Sequence, residues 1–311
     1  MESTSRMTQR PPAKGSRADR VLATAERLAR GGGRQIRQRL NPDRERQPLY
    51  LGPLSDDLLF GQPVNTVMRG VHRWGRRRSV TRDGVSVVVV NWNTLDMLMV
   101  VVEAIRRLSP PSTEIIIVDN GSTDESRAWL KSRPFSIRAA LLPVNIGHGR
   151  ALDVGVAMSR RPIIVTLDSD AFPFSERWLE VLLRPIREEG KLAAGMWGRR
   201  DRVHPACAAF TRESYFASDL SLMGYIPYVD RGQEFDLGVN AWDTAELFFN
   251  SLGADATCIF PAESTDFGGC TAAAVVYHHY ASTQLRMGHT DVADLDEHWE
   301  SWKRAVGTLL G

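Results

Sequence analysis

Short apolar runs alternate with amphipathic segments between residues 85 and 188 of the chain. Runs rich in β-branched residues predict four buried strands, Val85–Val90, Glu114–Val118, Arg138–Leu142 and Pro162–Leu167. Apolar positions at helical spacing predict four helices, Leu95–Leu108, Asp124–Ser132, Gly149–Ser159 and Trp178–Glu188. Strands that alternate with helices build a right-handed, mostly parallel sheet with helices on both faces. The predicted fold class is therefore α/β, and ligands of such sheets bind at the carboxyl ends of the strands.

The pattern is less regular in the second half of the chain. Strands are predicted at Pro205–Thr211 and Ala256–Phe260, and a helix at Thr244–Leu252. The segment Val292–Leu310 predicts a C-terminal amphipathic helix. Its apolar stripe consists of Leu295, Trp299, Trp302 and Val306. A stripe with this spacing is expected to pack against a core rather than to bind a ligand.

The composition is that of a globular protein, with 43% hydrophobic and 24% charged residues among 311. Residues 1–82 carry 18 Lys and Arg against 7 Asp and Glu, a net of +11, whereas the rest carries 21 against 30, a net of −9. The three cysteines, Cys207, Cys258 and Cys270, form no C-x-x-C pair, which is typical of a reducing cytoplasm and argues against a disulfide framework. The longest apolar run is far shorter than the roughly 20 residues that span a bilayer, so no transmembrane segment is predicted.

Three regions are predicted from these shifts in composition. Residues 1–83 form a basic, partly disordered N-terminal extension, residues 84–280 form the main domain, and residues 281–311 form a C-terminal helical extension. Within the N-terminal extension, residues 1–20 have a disordered composition, Ala18–Leu40 predicts a basic helix broken by three glycines, and residues 41–68 are rich in turn formers. Residues 69–82 include the basic cluster Arg69–Arg78, which suits contact with nucleic acid or an anionic membrane.

Two carboxylates follow the fourth predicted strand, in the sequence Thr166-Leu-Asp168-Ser-Asp170. Residues i and i+2 of an extended chain point to the same side, so both carboxylates can face one cleft. Mn²⁺ and Mg²⁺ prefer oxygen ligands, and such a cation neutralises the charge of a leaving diphosphate. The pair therefore predicts a metal site, the alternative being a solvated acidic turn.

Polar motifs follow each of the four strands. They are Asn91-Trp-Asn-Thr94, Val118-Asp-Asn-Gly-Ser-Thr-Asp124, Asn145-Ile-Gly-His-Gly-Arg-Ala-Leu152 and Leu167-Asp-Ser-Asp170. In this order and spacing they resemble the family 2 glycosyltransferases, strongly over residues 84–180 and loosely over residues 200–280. The resemblance implies the GT-A fold, which is the Rossmann-like fold of nucleotide-diphospho-sugar transferases. It also implies an enzyme of class EC 2.4 that moves a sugar from a nucleotide sugar to a hydroxyl acceptor with inversion.

The resemblance further implies a set of donor-binding residues at the strand ends. They are Asn91, Asn93, Asp119, Asn120, Ser122, Asn145, Gly147, Arg150, Asp168 and Ser169. Asp119 is expected to accept a hydrogen bond from a uracil or thymine imide, which favours a UDP-sugar, or else to cap a turn. Gly147 and Gly149 let backbone approach a ligand closely, and Arg150 opens a helix whose N-terminus favours anions. Asp153 stands where the family often has asparagine, so it either alters nucleotide contacts or caps locally.

The metal cofactor implied by the resemblance is Mn²⁺ or Mg²⁺, held by Asp168 and Asp170 with a late histidine as a third ligand. Alternation along a strand lets only one of His278 and His279 face the cleft, and His278 is the choice. The alternative is an exposed or core histidine. His204 could line the acceptor side, although an ordinary packing role is favoured there.

The catalytic base is expected in the second half of the chain. An inverting transfer needs a carboxylate that takes the proton of the acceptor hydroxyl. Family members supply it at a helix start after an aromatic- and glycine-rich loop, where this chain has Trp242-Asp-Thr-Ala-Glu246. The sequence departs from the usual Glu-Asp pair, so Asp243 and Glu246 are both candidates, with Asp243 favoured. The alternative is a capping box, in which Asp243 is only a helix N-cap.

Other functions are weighed against this one. A nucleotidyltransferase also uses acidic metal ligands, but it normally has a basic, glycine-rich loop after its first strand, unlike Asn91-Trp-Asn-Thr94. The acceptor is predicted to be a cell-envelope or lipid-linked glycan. The alternative acceptor is a hydroxylated base of DNA reached through the basic arm, which requires base flipping in a duplex. The predicted location is the cytoplasm, either in solution or at the membrane surface.

Overall fold

The computed structural model describes residues 62–132, 136–198, 201–223, 244–266, 268–280 and 295–311. The segment 1–20 and the predicted helix Ala18–Leu40 lie outside these residues, as does the candidate base Asp243. What the sequence predicts for them stays a prediction, and so do the three domain limits.

The described residues form two sheets, whose strands are numbered in chain order. They are β1 (Val85–Asn91), β2 (Glu114–Asp119), β3 (Ile137–Leu141), β4 (Ile163–Asp168), β5 (Ala171–Pro173), β6 (Ala193–Trp197), β7 (Val203–Thr211), β8 (Thr257–Phe260), β9 (Ala262–Ser264), β10 (Cys270–Ala272) and β11 (Val276–His278). The central sheet has the order β3-β2-β1-β4-β7-β6-β8. β1 to β4 are parallel, β7 is antiparallel to β4 and β6, and β8 is parallel to β6. The sheet is therefore mostly parallel, as predicted.

Helices cover both faces of this sheet. They are α1 (Gln62–Arg76), α2 (Leu95–Leu108), α3 (Ser126–Lys131), α4 (His148–Met158), α5 (Trp178–Glu188), α6 (Arg212–Ser218), α7 (Glu246–Leu252) and α8 (Leu295–Leu310). α2 and α5 have the predicted bounds, and α4 begins one residue earlier than predicted. In α2, Leu98, Val101, Val102 and Ile105 are fully buried, which is the spacing of one helix face.

Two apolar clusters lie on opposite faces of the sheet. Val87 and Val89 of β1 join a cluster that includes side chains of α2, α5 and α8, among them Trp302. Val88 and Val90 join a second cluster with side chains of α4, α6 and α7. Successive residues of a strand point to opposite faces of the sheet. The four valines therefore need apolar cover on both faces, and the two clusters provide it.

A second sheet of four short antiparallel strands has the order β5-β11-β10-β9. In this sheet His278 is paired with Ala171, and the N–H of His279 donates to the carbonyl of Asp170 at 3.0 Å. Strand pairing thus brings the end of β11 beside the turn that follows β4. The ring of Trp302 in α8 lies against Phe172 of β5, with 5.2 Å between centroids, so the C-terminal helix packs on this sheet as its apolar stripe predicts.

Helix α1 corrects the sequence-based expectation of a turn-rich segment followed by a basic cluster. Residues 62–76 are helical, and Gly75 lies so close to α4 that a Cβ there would be 2.7 Å from the Cα of Ala157. Arg212 donates a hydrogen bond to the Gly75 carbonyl, and the ring of His72 lies 4.8 Å from that of Phe216. Tertiary packing onto α4 and α6 therefore stabilises this helix.

Gly149, in the first turn of α4, lies against the chain's own backbone rather than in open space. A Cβ on this residue would be 2.2 Å from the carbonyl oxygen of Leu222 and 2.5 Å from the Cα of Met223. Gly147 has nothing within 4 Å of such a Cβ and a φ of +90°. The predicted close approach to a ligand therefore suits Gly147, whereas Gly149 is required by packing.

We expect Gly149→Ala to lower the free energy of unfolding by about 1–3 kcal/mol, the usual cost of forcing atoms into a packed site. The matched control is Gly307→Ala in α8, where a Cβ would meet nothing within 4 Å. That change should be neutral or stabilise by up to about 1 kcal/mol, because alanine favours helix. Urea unfolding of the two variants measures both values, and equal effects would contradict the packing assigned to Gly149.

Candidate functional site

Three metal-ligating groups converge at the carboxyl edge of the central sheet. Asp168 is the last residue of β4, Asp170 lies in the following turn, and His278 ends β11. The His278 Nε2 atom lies 3.6 Å from Asp168 Oδ2 and 3.5 Å from Asp170 Oδ1. One ligand atom from each residue lies within 4.8 Å of the others. Two carboxylates and an imidazole form a suitable donor set for Mn²⁺ or Mg²⁺.

The electrostatics of this cluster favour a cation. Burial by itself lowers the pKa of His278, but hydrogen bonds to Asp170 and Cys270 and the charges of Asp170 and Asp168 raise it to about 10. Burial by itself raises the pKa of Asp168, but the hydrogen bond and charge of His148 and the charge of His278 outweigh it and lower the value. The negative potential that holds a proton on His278 also attracts a divalent cation, which would replace that proton.

The choice between the two adjacent histidines follows from their surroundings. The ring of His279 points away from the carboxylates: its Nδ1 lies 2.5 Å from the Tyr277 hydroxyl and its Nε2 lies 3.0 Å from the carbonyl of His298 in α8. His279 is thus held by the C-terminal helix, and His278 is the one at the candidate metal site.

Two further histidines lie beside the cluster. His148, the first residue of α4, places Nε2 at 3.3 Å from Asp168 Oδ1, and its side chain is 37% exposed. This residue lies inside a strand-end motif, but the sequence predicted no role for it. His204 of β7 has its ring centroid 5.9 Å from that of His278, so it borders the candidate metal site, and a role on the acceptor side stays a prediction. The sequence signal that could have indicated a role for His148 is its place between Gly147 and Gly149 in the motif after β3.

A chain of buried polar side chains joins the ends of three strands. Asn91 Nδ2 donates to Asp119 Oδ1 at 3.2 Å and to Ser122 Oγ at 3.1 Å. Asn91 Oδ1 accepts from Thr94 Oγ1 at 2.9 Å, and that hydroxyl lies 2.9 Å from Ser169 Oγ. All five residues are buried. This polar chain fixes the loops after β1, β2 and β4 relative to one another.

The loops after β1 and β2 also cap each other. Asn93, with a φ of +56°, accepts hydrogen bonds at Oδ1 from the backbone N–H of Thr123 at 2.7 Å and of Asp124 at 3.3 Å. In return, Asp124 Oδ2 accepts from the N–H of Leu95 at 3.3 Å. Asparagine is one of the few residues that tolerate this backbone conformation. The side-chain oxygen of the predicted donor residue Asn93 therefore connects the loops after β1 and β2.

Two predicted donor residues use their polar atoms within the protein. Asp119 is fully buried and its Oδ2 forms an ion pair with Arg127 Nη1 at 2.9 Å. Asn120 donates from Nδ2 to Asn145 Oδ1 at 2.9 Å and accepts from the N–H of Ile146 at 3.0 Å. These contacts connect the loops after β2 and β3. A contact between Asp119 and the nucleotide base stays a prediction.

The start of α7 differs from the predicted helix start. The helix begins at Glu246, and its N-cap is Ala245, which has a φ of +62° and no side-chain cap hydrogen bond. A capping box with Asp243 as N-cap is therefore not formed. Glu246 is buried, and Asp243 lies outside the described residues. The assignment of the base to Asp243 or Glu246 stays a prediction.

Comparison with known families gives the decisive observation. The family model described as glycosyl transferase family 2 matches residues 86–216, which include all four strand-end motifs. Residues 86–216 belong to glycosyl transferase family 2. The matched residues therefore form a domain of a glycosyltransferase family.

Solved structures resemble this chain at low sequence identity. The mannosyltransferase PcManGT of Pyrobaculum calidifontis in complex with GDP-Man and Mn²⁺ has a TM-score of 0.39 at 21% identity, over 52% of this chain and 56% of that chain. Glucosyl-3-phosphoglycerate synthase of Mycobacterium tuberculosis, with Mn²⁺, UDP and glucosyl-3-phosphoglycerate, has a TM-score of 0.44 at 19% identity, over 78% and 82%. TarS of S. aureus in complex with UDP-GlcNAc has a TM-score of 0.45 at 15% identity, over 72% and 73%.

The chain thus spans little more than half the length of the mannosyltransferase. No curated protein gives a significant match to the sequence. None of the helices in the described parts of the chain is both long and apolar enough to cross a bilayer.

Asp153 of the glycosyltransferase domain holds a segment of its own chain. It is buried in α4 and accepts hydrogen bonds from the Tyr215 hydroxyl and the Leu222 N–H, both at 2.8 Å, and from the Ser221 hydroxyl. Burial raises its pKa to about 6, although these hydrogen bonds and the charge of Arg150 lower it. These partners lie 62 to 69 residues away along the chain, so they are not the local cap that the sequence offers, and an effect of Asp153 on nucleotide contacts stays a prediction.

We expect the stability of the wild type to depend on pH through Asp153. Its folded-state pKa lies above the ordinary value of 3.8, so the folded protein keeps a proton that the unfolded chain releases between about pH 4 and pH 6. The free energy of unfolding should therefore fall through this window as pH rises. The Asp153→Asn variant can keep all three hydrogen bonds. It has no carboxyl group to titrate, so its free energy of unfolding should not fall for this reason. Relative to that variant, the free energy of unfolding of the wild type should fall by up to about 3 kcal/mol between pH 4 and pH 7. Urea unfolding at both pH values measures this difference. The same difference between the two proteins at pH 4 and at pH 7 would contradict the prediction.

Proposed function

We propose that the protein transfers a sugar from a nucleotide sugar, with a UDP-sugar favoured, to a hydroxyl acceptor with inversion at the anomeric carbon. The proposal depends on one observation, the convergence of Asp168, Asp170 and His278 at the carboxyl edge of a family 2 domain. The three residues would hold Mn²⁺ or Mg²⁺. When bound, such a cation would neutralise the negative charge that develops on the leaving diphosphate.

The reaction follows from general chemistry. The oxygen of the acceptor hydroxyl forms a bond to the anomeric carbon, the bond from that carbon to the diphosphate oxygen breaks, and the nucleoside diphosphate leaves with the electron pair. The hydroxyl proton passes to a carboxylate base. We propose Asp243 for this base, with Glu246 as the alternative, because both acidic residues flank the start of α7.

The donor pocket is proposed to lie between the polar loops and the N-terminus of α4. Asn93, Asn145, Gly147 and His148 are partly exposed there, and Asp168 lies next to them. An α-helix N-terminus offers backbone N–H groups to an anion, which suits a diphosphate. His148 is proposed to orient the Asp168 carboxylate, because its Nε2 lies 3.3 Å from Oδ1.

The acceptor is proposed to be a cell-envelope or lipid-linked glycan. The alternative of DNA bases reached through the basic arm, residues 69–82, is not favoured. Thr81 at the end of the arm donates its N–H to the carbonyl of Arg160, which precedes β4, so this end of the arm lies at the amino edge of the sheet. The nucleotidyltransferase alternative is not retained, because the matched family is one of glycosyltransferases.

A screen of nucleotide sugars tests this proposal. The full chain is mixed with UDP-, GDP- and dTDP-sugars and Mn²⁺, and its Tm and the release of nucleoside diphosphate are measured with and without EDTA. One donor class at about 100 times its Kd should add about 2.7 kcal/mol of stability, and EDTA should remove the effect. Absence of binding by all three classes with manganese present would contradict the proposal.

A further inference from the structure

Four arginines from different elements meet at the amino edge of the central sheet. Arg78 follows α1, Arg138 lies in β3, Arg160 precedes β4, and Arg212 begins α6. The charges of Arg138 and Arg160 act on Arg78, and the charge of Arg78 acts on Arg212. We call these residues the amino-edge arginines. Their clustering costs electrostatic free energy unless negative charge offsets it.

Negative charge from the protein is scarce there and is already used. Among the described residues, Glu114 is the carboxylate that acts on Arg78. Its oxygens accept hydrogen bonds from the Ser86 hydroxyl at 2.5 Å, from the Arg160 N–H at 2.8 Å and from the Arg138 guanidinium. Burial lowers the pKa of Arg78 most, followed by the charges of Arg138 and Arg160. Among these four guanidinium groups, those of Arg78 and Arg138 thus share the Glu114 carboxylate.

The guanidinium of Arg78 is also incompletely hydrogen bonded. It lies over the ring of Trp74, 4.4 Å from the centroid, and within the described residues its Nε is buried without a hydrogen-bond partner. A cavity of about 470 Å³ lies next to it, lined by Arg78, Ser79, Val80, Thr81 and Arg160. The hydrogen bonds of Arg160 to Glu114 and Thr81 use its backbone, so they do not depend on its side chain.

We propose that this cavity binds a phosphate group, either free or on a lipid headgroup, with Arg78 and Arg160 as its cationic contacts. Guanidinium groups bind phosphate through paired, charge-assisted hydrogen bonds. The hydroxyl of Ser79 on the cavity wall adds a further polar group, whereas the hydroxyl of Thr81 already faces the carbonyls of Asp83 and Arg160. Val80 on the cavity wall and Trp74, whose ring lies under Arg78, are both exposed, as expected where a headgroup would be contacted from a membrane surface.

The phosphate cavity is separate from the proposed transfer site. β1 and β4 run from the amino edge to the carboxyl edge, and a strand of this length spans about 20 Å. A phosphate bound at the arginines is therefore not the diphosphate of the donor. The inference is independent of the proposed function, and binding at the two sites can be measured separately.

The experiment uses the full chain and two probes. Inorganic phosphate is titrated calorimetrically, and vesicles of phosphatidylcholine with or without phosphatidylglycerol are sedimented with the protein. Arg160→Gln and Arg78→Gln are compared with wild type and with the control Arg177→Gln, which removes the same charge from an exposed pair with Glu180. A lost charge-assisted hydrogen bond should weaken binding at least about 10-fold in the first two variants. The control should bind as wild type does.

Each outcome decides the proposal. Phosphate binding that depends on the two arginines would support the proposal and show that the free ion is sufficient. Arginine-dependent sedimentation with phosphatidylglycerol vesicles, without binding of free phosphate, would support it and identify a lipid headgroup as the ligand. Equal behaviour of all four proteins, no binding of either probe, or arginine-dependent retention on DNA only would overturn it. Stabilisation by nucleotide sugar and Mn²⁺ should be unchanged in Arg160→Gln, which separates failure of the phosphate cavity from failure of the transfer proposal.

Discussion

The Asp170→Asn variant is expected to lose Mn²⁺ binding and to lower sugar transfer by about 10²- to 10³-fold, since the cation supplies several kcal/mol of charge stabilisation. Asparagine has nearly the same size and can still accept hydrogen bonds, but it lacks the charge. Asp170 Oδ1 lies 3.5 Å from His278 Nε2, so the variant changes a residue at the centre of the proposed ligand set. Manganese binding is measured by electron paramagnetic resonance of the free ion, and transfer by release of nucleoside diphosphate.

The matched control is Asp255→Asn, which removes a carboxylate from the exposed 3₁₀ turn Ala254–Ala256. It should retain both manganese binding and transfer. Circular dichroism and Tm of both variants separate loss of metal from loss of fold. Full manganese affinity in Asp170→Asn would show that the three residues do not hold the cation.

The second large effect is expected for Trp302→Ala, with a loss of about 3–5 kcal/mol in the free energy of unfolding, as for large aromatic residues in cores. Trp302 is fully buried and its ring lies near those of Phe172, Tyr277 and His279. β11 carries both Tyr277 and the candidate ligand His278. The variant should therefore also weaken manganese binding in the protein that remains folded.

Trp299→Ala is the control, because Trp299 lies on the same helix and is only partly buried. It should cost clearly less stability than Trp302→Ala. Guanidinium unfolding measures the two losses. A similar loss for both variants would show that α8 contributes general apolar area rather than specific packing against the sheet that carries His278.

The strands and the candidate metal site could be predicted because their signals are local. β1 is apolar at nearly every position because both faces of the sheet are covered, and this produces a run that no amphipathic helix would have. The placement of Asp168 follows from the end of β4. Alternation along a strand indicates only that one of His278 and His279 faces the cleft. The pairing of β11 with β5 places His278 beside Ala171 and so beside the two carboxylates.

Other features depend on contacts between distant parts of the chain. Helix α1 is basic and contains two glycines, and it is helical where Gly75 and His72 pack against α4 and α6. His148 reaches Asp168 only because α4 begins beside the end of β4. A pattern along the chain carries no information on such distances, so neither feature was predicted.

Burial also changed the interpretation of residues that were correctly located. Asp119 and Asn120 follow β2, as predicted, but their polar atoms are bound to Arg127, Asn145 and neighbouring backbone. The sequence shows that a carboxylate is present at a strand end. It does not show whether that carboxylate faces the solvent-filled pocket or a neighbouring arginine.

The polar chain from Asp119 through Asn91 and Thr94 to Ser169 has a consequence for ligand capture. These side chains are already fixed by one another, so an arriving nucleotide sugar has little rotamer freedom left to freeze in this part of the pocket. The conformational entropy was lost when the domain folded. Donor affinity should then be set mainly by the contacts formed, and association should require little rearrangement of the loops after β1, β2 and β4.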